Sequence, residues 1–217
     1  MTSCRQVVTL ILSPSLSLAV SAVRLSGVIL TNKTSLSKSP LTRPLQQGLV
    51  QVFTGPGKGK TSAALGTVLR AVGHGLRVYV IFFLKGDYPY GEFHSLTQLP
   101  NVSVASFGFR RFIDRENLKP EELEQAKQAL ATARQAMLSG SYDMVVLDEV
   151  NVAAAWKLIE PEEVVKLIKD KPPGVELILT GRYADDRLVE LADLVTEMVK
   201  IKHPYDKGIR ARKGIEY

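Results

Sequence analysis

Acidic residues are missing from the first 47 positions of this 217-residue chain, and cysteine and tryptophan each occur once. Each scarcity excludes something. The lone Cys4 cannot form an internal disulfide, so no framework of bridges holds the fold, and a reducing compartment is the natural setting. The three histidines, His74, His94 and His203, are too scattered for zinc-ligand spacing. No stretch reaches the roughly 20 uninterrupted apolar residues of a spanning helix, so no membrane anchor is expected. The formal charge is +6, yet Arg5, Arg24, Lys33, Lys38 and Arg43 supply five of those charges inside the acid-free segment. The rest of the chain carries only +1, too balanced for a surface that binds nucleic acid.

Residues 1–47 read as a disordered or targeting-like extension, because they keep up neither strand alternation nor a helical stripe. Three origins fit them. A short basic start, the apolar stretch Val7–Val23 and small residues at 19–22 resemble a secretory signal diluted by Pro14 and serines. Arginine and serine without acids also suit an organelle transit peptide, and the third reading is upstream sequence swept in by a wrongly chosen start. The remaining positions, 48–217, are long enough for one domain with a continuous apolar core.

Strands and helices alternate there. Strands are expected at Leu49–Thr54, Arg77–Phe83, Val102–Phe107, Met144–Leu147, Val175–Thr180 and Val195–Ile201, with helices at Lys60–Val72, Pro120–Leu138, Pro161–Lys171 and Asp185–Leu191. In the long helix Leu123, Ala126, Leu130, Ala133 and Met137 fall on one face, and Pro120, Glu121 and Glu122 suit its first turn. The order implies an α/β fold, a mostly parallel central sheet with helices on both faces.

The first strand runs into Thr54-Gly55-Pro56-Gly57-Lys58-Gly59-Lys60-Thr61-Ser62, which opens the first helix. A strand-to-helix turn rich in glycine cradles a triphosphate with backbone N–H groups and lysine, while the Thr61 hydroxyl is placed to ligate magnesium. Thr54 stands where the usual first glycine falls, but Gly55, Gly57 and Gly59 alternate through the turn. Asp148 and Glu149 follow the apolar strand at 144–147, at the carboxyl edge where parallel sheets place ligands, and are candidates for the same magnesium ion. Thr180-Gly181-Arg182 ends another strand on that edge, which brings Arg182 within reach of a phosphate. A phosphate-loop NTPase fold of recombinase-like type is therefore expected, and its need for ATP argues for the cytoplasm.

Several runs together resemble the ATP:corrinoid adenosyltransferases, also called cob(I)yrinic acid a,c-diamide adenosyltransferases. They are the phosphate loop, Arg70-Ala71-x-Gly73-x-Gly75, Phe83-x-Lys85-Gly86, Gly91-Glu92, Leu147-Asp148-Glu149-Val150-Asn151, Thr180-Gly181-Arg182 and the tail from Lys202 to Gly214-Ile215-Glu216-Tyr217. The resemblance implies that a cobalt(I) corrinoid, of cobalamin or cobinamide type, attacks the 5′-carbon of ATP and expels triphosphate. It implies ATP contacts from Gly55, Gly57, Lys58, Gly59, Lys60, Thr61, Ser62 and Arg182, magnesium at Thr61, Glu149 and Asp148, and no general base. It also implies a nucleotide reversed in the loop, a flavodoxin-like reductant and a homodimer. Members pack aromatic side chains where the lower axial ligand of cobalt would sit, in a Gly-Phe-x-Trp segment. Here Gly108-Phe109-Arg110-Arg111-Phe112 takes that place, so Phe109 carries over, Arg111 replaces the tryptophan, and Phe112 is either its substitute or a core residue. Pro56 replaces a frequent asparagine of the loop, which removes one backbone donor. Two other readings compete: an ATP- or GTP-hydrolysing phosphate-loop protein, and a nucleotide or corrinoid carrier without turnover.

Overall fold

The computed structural model describes residues 22–25, 28–31, 45–86, 89–111 and 113–217. Six strands pair in parallel in the order β5-β4-β6-β7-β3-β8: β3 (Val50–Thr54), β4 (Val78–Phe82), β5 (Val102–Ser106), β6 (Met144–Asp148), β7 (Glu176–Thr180) and β8 (Leu194–Glu197). Of the inner strands, β4, β6 and β7 are buried along their whole length and apolar except at their ends, because helices cover both of their faces, while β3 leaves Gln51 partly exposed. Along β4, Val78, Val80 and Phe82 pack towards α1 (Lys60–Gly73) and α2 (Gly91–Gln98), while Tyr79 and Ile81 pack towards the opposite layer. That second layer is α3 (Pro120–Leu138), α4 (Val150–Ala155), α5 (Pro161–Lys169) and α6 (Asp186–Leu191). In α3 the buried face is built on Ala126, Ala129, Ala133 and Ala136, small side chains that let the helix lie close on the sheet, with Leu130 and Met137 filling between. Leu123, expected on that face, is only partly covered.

Two helices, α2 and α4, were not expected. In α2 only Leu96 is buried, and α4 is six residues that are buried almost all round, so neither carries a 3.6-residue stripe. The last strand ends at Glu197 instead of reaching Ile201, because the chain then turns along the phosphate loop, where Gly57 N–H donates to Met198 C=O at 2.6 Å. Within the segment read as an extension, β1 (Ala22–Leu25) and β2 (Val28–Thr31) form an antiparallel hairpin whose second strand pairs with β5, lengthening the sheet at that edge. The rest of residues 1–44 lie outside the described residues. No helix among the described residues is long and apolar enough to cross a membrane.

The amino edge of the sheet is fastened by polar pins. Asp143, before β6, accepts from the backbone N–H, Nε and Nη2 of Arg77, before β4, at 2.8–3.0 Å. Glu176 accepts from Leu49 N–H at 2.7 Å, and Asp193 from Val50 N–H at 2.7 Å. Burial works against the Asp143 carboxylate, but its bonds to Arg77 outweigh this and hold it below its ordinary value. Such a group contributes stability above its unfolded value that is lost as pH falls through the folded one. Asp143→Ala should therefore cost about 2–3 kcal/mol by denaturant titration at neutral pH, and less in acid.

Candidate active site

Every strand of the parallel sheet ends on one edge, and the residues singled out in the sequence converge there. The phosphate loop lies between β3 and α1, folded back against the chain leaving β8. A Cβ on Gly57 would stand 2.6 Å from Met198 oxygen, so only glycine fits that approach. No side chain caps α1, which leaves its first N–H groups for a ligand. Lys60 is buried and donates to the carbonyls of Gly55 and Gly57 at 2.9 and 2.7 Å, curled over the loop it would use to hold phosphate. Burial lowers its pKa, with Glu149 opposing and Arg182 reinforcing the shift. Lys58, on the same cleft, pairs with Glu216 of the tail at 2.9 Å, where Arg212 also grips the same carboxylate.

The acidic pair behaves as two different groups. Asp148 closes β6 and is 1% exposed, with Oδ1 accepting from Thr180 Oγ1 at 2.7 Å and Oδ2 paired with Lys85 Nζ at 2.9 Å. It does not line the cleft, so the expectation of two adjacent magnesium ligands is not met: the end of a buried strand sends one residue inwards and the next outwards. Glu149 is the outward one, held with φ of 64°, a left-handed value that costs a non-glycine residue on the order of 1 kcal/mol. Its N–H donates to Thr180 Oγ1 at 3.1 Å. Burial, then the neighbouring Asp148, push the Glu149 carboxyl up to about 7, against the pull of Lys85, Lys60 and Arg182.

Two cavities meet at this edge. A polar cleft of about 660 Å³ is lined by Gly57 to Ser62, Glu149, Arg182 and the tail residues Gly214 to Tyr217. Beside it an apolar one of about 460 Å³ is walled by Phe83, Leu84, Phe109, Ile113, Val152 and Trp156. Lys85, Tyr90, Glu149, Glu216 and Tyr217 belong to both. Thus Gly57, Lys58, Gly59, Lys60, Thr61, Ser62, Arg182 and Glu149 are brought together, Gly55 lies one step behind in the loop, and Phe109 faces the second cavity. Phe112 lies outside the described residues. Arg111 stacks on Phe109 with its guanidinium 4.6 Å from the ring centre and pairs with Glu121 and Glu122. Sequence reasoning gave no role to Lys85, Tyr90 or Trp156. A lysine directly after a wholly apolar strand, on the ligand edge, was the available signal for Lys85; Trp156 had none, because it follows a helix too short to recognise.

Residues 46–217 match the family described as ATP:corrinoid adenosyltransferase BtuR/CobO/CobP. Over 174 residues the chain is 38% identical to the corrinoid adenosyltransferase of Escherichia coli strain K12, covering 79% of this chain and 87% of that one. The corrinoid adenosyltransferase CobA of Salmonella typhimurium is 39% identical over 175 residues, with the same two coverages, 79% and 87%. A corrinoid adenosyltransferase from Sinorhizobium sp is 36% identical over 188 residues, 85% of this chain and 87% of the relative. With a match across the whole of the parallel sheet and the tail, the chain belongs to the ATP:corrinoid adenosyltransferase family.

Proposed function

We propose that the protein transfers the 5′-deoxyadenosyl group of ATP to the cobalt(I) of a corrinoid, releasing triphosphate, in adenosylcobalamin biosynthesis. The carrying observation is the pair of cavities with a common wall: a cationic cleft suited to polyphosphate opens beside an apolar, aromatic-lined space suited to a macrocycle. A nucleotide hydrolase needs only the first. The electron pair of cobalt forms the cobalt–carbon bond as the C5′–O bond breaks, and that bond's pair leaves with triphosphate. No proton is transferred, so no side chain has to serve as a base. What the chain must do is hold the two substrates in line and stabilise charge on the leaving group, the task of Lys58, Lys60, Arg182 and the loop amides.

The donors present suit magnesium: the Thr61 hydroxyl and Glu149 carboxylate are hard oxygen ligands, and this ion takes its other ligands from phosphate and water. No larger ligating cluster is required, and among the described residues none occurs. Bound there, the ion would add positive charge beside the departing triphosphate. Asp148, engaged by Lys85 and Thr180, stands behind Glu149. On the corrinoid side Phe109 is the residue we assign to displacing the lower ligand, with Trp156 on the same wall and Phe112 retained as a further candidate. A cytoplasmic setting, argued from the need for ATP, completes the reading together with a flavodoxin-like reductant, a homodimer and residues 48–217 as the catalytic unit, which rest on the family resemblance.

Incubation with ATP, magnesium and reduced cobalamin should give the spectrum of an alkylated corrinoid and one triphosphate per turnover; release of phosphate alone would favour a hydrolase, and tight binding without product a carrier. Lys60→Ala should abolish adenosyl transfer while leaving the circular dichroism spectrum intact, and near wild-type turnover would end the phosphate-loop assignment. Phe109→Ala should keep much of its activity when a strong chemical reductant supplies cobalt(I) but lose most of it when a flavodoxin must reduce cobalt(II) on the enzyme. Loss of packing area alone, about 1–3 kcal/mol for a buried ring, would lower both rates alike. Because Glu149 holds its proton more tightly in the fold, its ionisation works against the metal-free fold as pH rises from about 4.5 through 7. In EDTA, Glu149→Gln should therefore raise stability by on the order of 1–3 kcal/mol near pH 8.5 and by little near pH 5; equal unfolding midpoints at the higher pH would refute this.

A further inference from the structure

Lys85 has no assigned role, yet it is enclosed by two carboxylates and two aromatic rings. The preceding Leu84 has φ of 62°, a left-handed value for a γ-branched residue, and Gly86 follows at 52°. The strain is locked from the neighbouring strand. A Cβ on Gly108 would lie 2.9 Å from Leu84 Cα, the N–H groups of Lys85 and Gly86 both donate to Phe107 C=O at 3.0 Å, and Ser106 Oγ donates to Gly86 C=O at 2.6 Å. This brace turns the Lys85 side chain inwards, where its ammonium lies 2.9 Å from Asp148 and 3.0 Å from Glu92. It also sits 4.6 Å from the ring centres of both Phe82 and Tyr90. Only 11% of the side chain is exposed. Burial alone would push its pKa down, but the two carboxylates outweigh that and keep it charged.

From Lys85 a continuous chain of contacts runs to Glu149. Lys85 pairs with Asp148, whose other oxygen accepts from Thr180 Oγ1, and that same hydroxyl oxygen accepts from Glu149 N–H. The bond to Thr180 therefore ends on the backbone of the residue that stands in a strained conformation and faces the cleft. We propose that Lys85 is a positioning residue: by fixing Asp148 and Thr180 it sets the direction in which Glu149 presents its carboxylate to the metal-nucleotide side of the cleft, and by holding Glu92 it ties α2 to that wall. The inference rests on the reading of Glu149 as a magnesium ligand. Direct capture of phosphate by Lys85 is the competing role, and its enclosure between two carboxylates and two rings argues against it.

Calorimetry of ATP binding to the full chain, in magnesium and in EDTA without corrinoid, tests the proposal. Partners that orient a metal ligand typically change metal affinity by about 10–100-fold, so Lys85→Met should lose about that much of the magnesium-supported affinity, while binding in EDTA shifts less than about threefold. Lys85→Arg, which can still pair with both carboxylates, should recover most of the loss. Adding Lys85→Met to Glu149→Gln should weaken magnesium-supported binding no further. Equal losses with and without magnesium would overturn the proposal, since Lys85 would then touch phosphate or serve only the fold. Where Lys85→Met leaves Asp148 as an unpaired buried charge and the chain fails to fold, the double variant K85M/D148N removes both charges. That variant should fold and still lose the magnesium-supported affinity, and a folded double variant with wild-type magnesium dependence would overturn the proposal. A wild-type chain whose ATP binding ignores magnesium would instead sink the assignment of Glu149, and this inference with it.

Discussion

Parallel pairing is the constraint on which the rest of the molecule depends. Six strands running the same way must send every connection out from one edge and receive it back at the other, so the two edges acquire different duties. At the amino edge the chain fastens itself: Asp143, Glu176 and Asp193 spend their carboxylates on backbone N–H groups and on the side chains of Arg77 and Gln51. At the carboxyl edge the ends of β3, β4, β5, β6 and β7 supply the phosphate loop, Lys85, Phe109, Glu149 and Arg182. A nucleotide cleft and an apolar cavity can share a wall only because neighbouring strands end side by side there.

The carboxyl edge is also where local rules are broken. Leu84, Glu149 and Tyr183 adopt positive φ just beyond the ends of β4, β6 and β7, a conformation that side chains with a Cβ rarely take. Such strain persists only where the surroundings over-determine it. Here the over-determination is visible, in the interlock of the β4 and β5 ends around Gly108 and in the double use of the Thr180 hydroxyl. Local propensity and site geometry disagree at these positions, and site geometry prevails.

How far the sequence could be read follows the same physics. The buried strands announced themselves as apolar runs, and the long helix α3 as a stripe, because burial on a regular element leaves a period in the chain. The phosphate loop was legible because its chemistry needs contiguous residues. What escaped depends on contacts distant in sequence. The division of labour between Asp148 and Glu149 is decided by Lys85 and Thr180, 63 and 32 residues away from Asp148, and no local pattern encodes it. The hairpin of β1 and β2 gains its place by pairing with β5, and its own eight residues carry too little periodicity to be recognised. Trp156 reaches the apolar cavity from the end of a six-residue helix, a length at which helical and irregular sequence cannot be told apart.

The lysines of the site differ in how deeply their partners are buried. Lys58 and Glu216 form a pair with 46% and 21% of their side chains exposed, the kind that contributes little in water and yields to a more highly charged competitor. Lys60 donates to loop carbonyls, neutral acceptors that make weaker hydrogen bonds than the ionised oxygens of a phosphate would. Lys85 is different. Its pair with Asp148 is almost wholly enclosed, and opening it would leave a buried carboxylate without a counter-charge. On the reading proposed above, Lys58 and Lys60 exchange these weaker partners when a nucleotide arrives, while Lys85, paired with the buried Asp148, keeps its own.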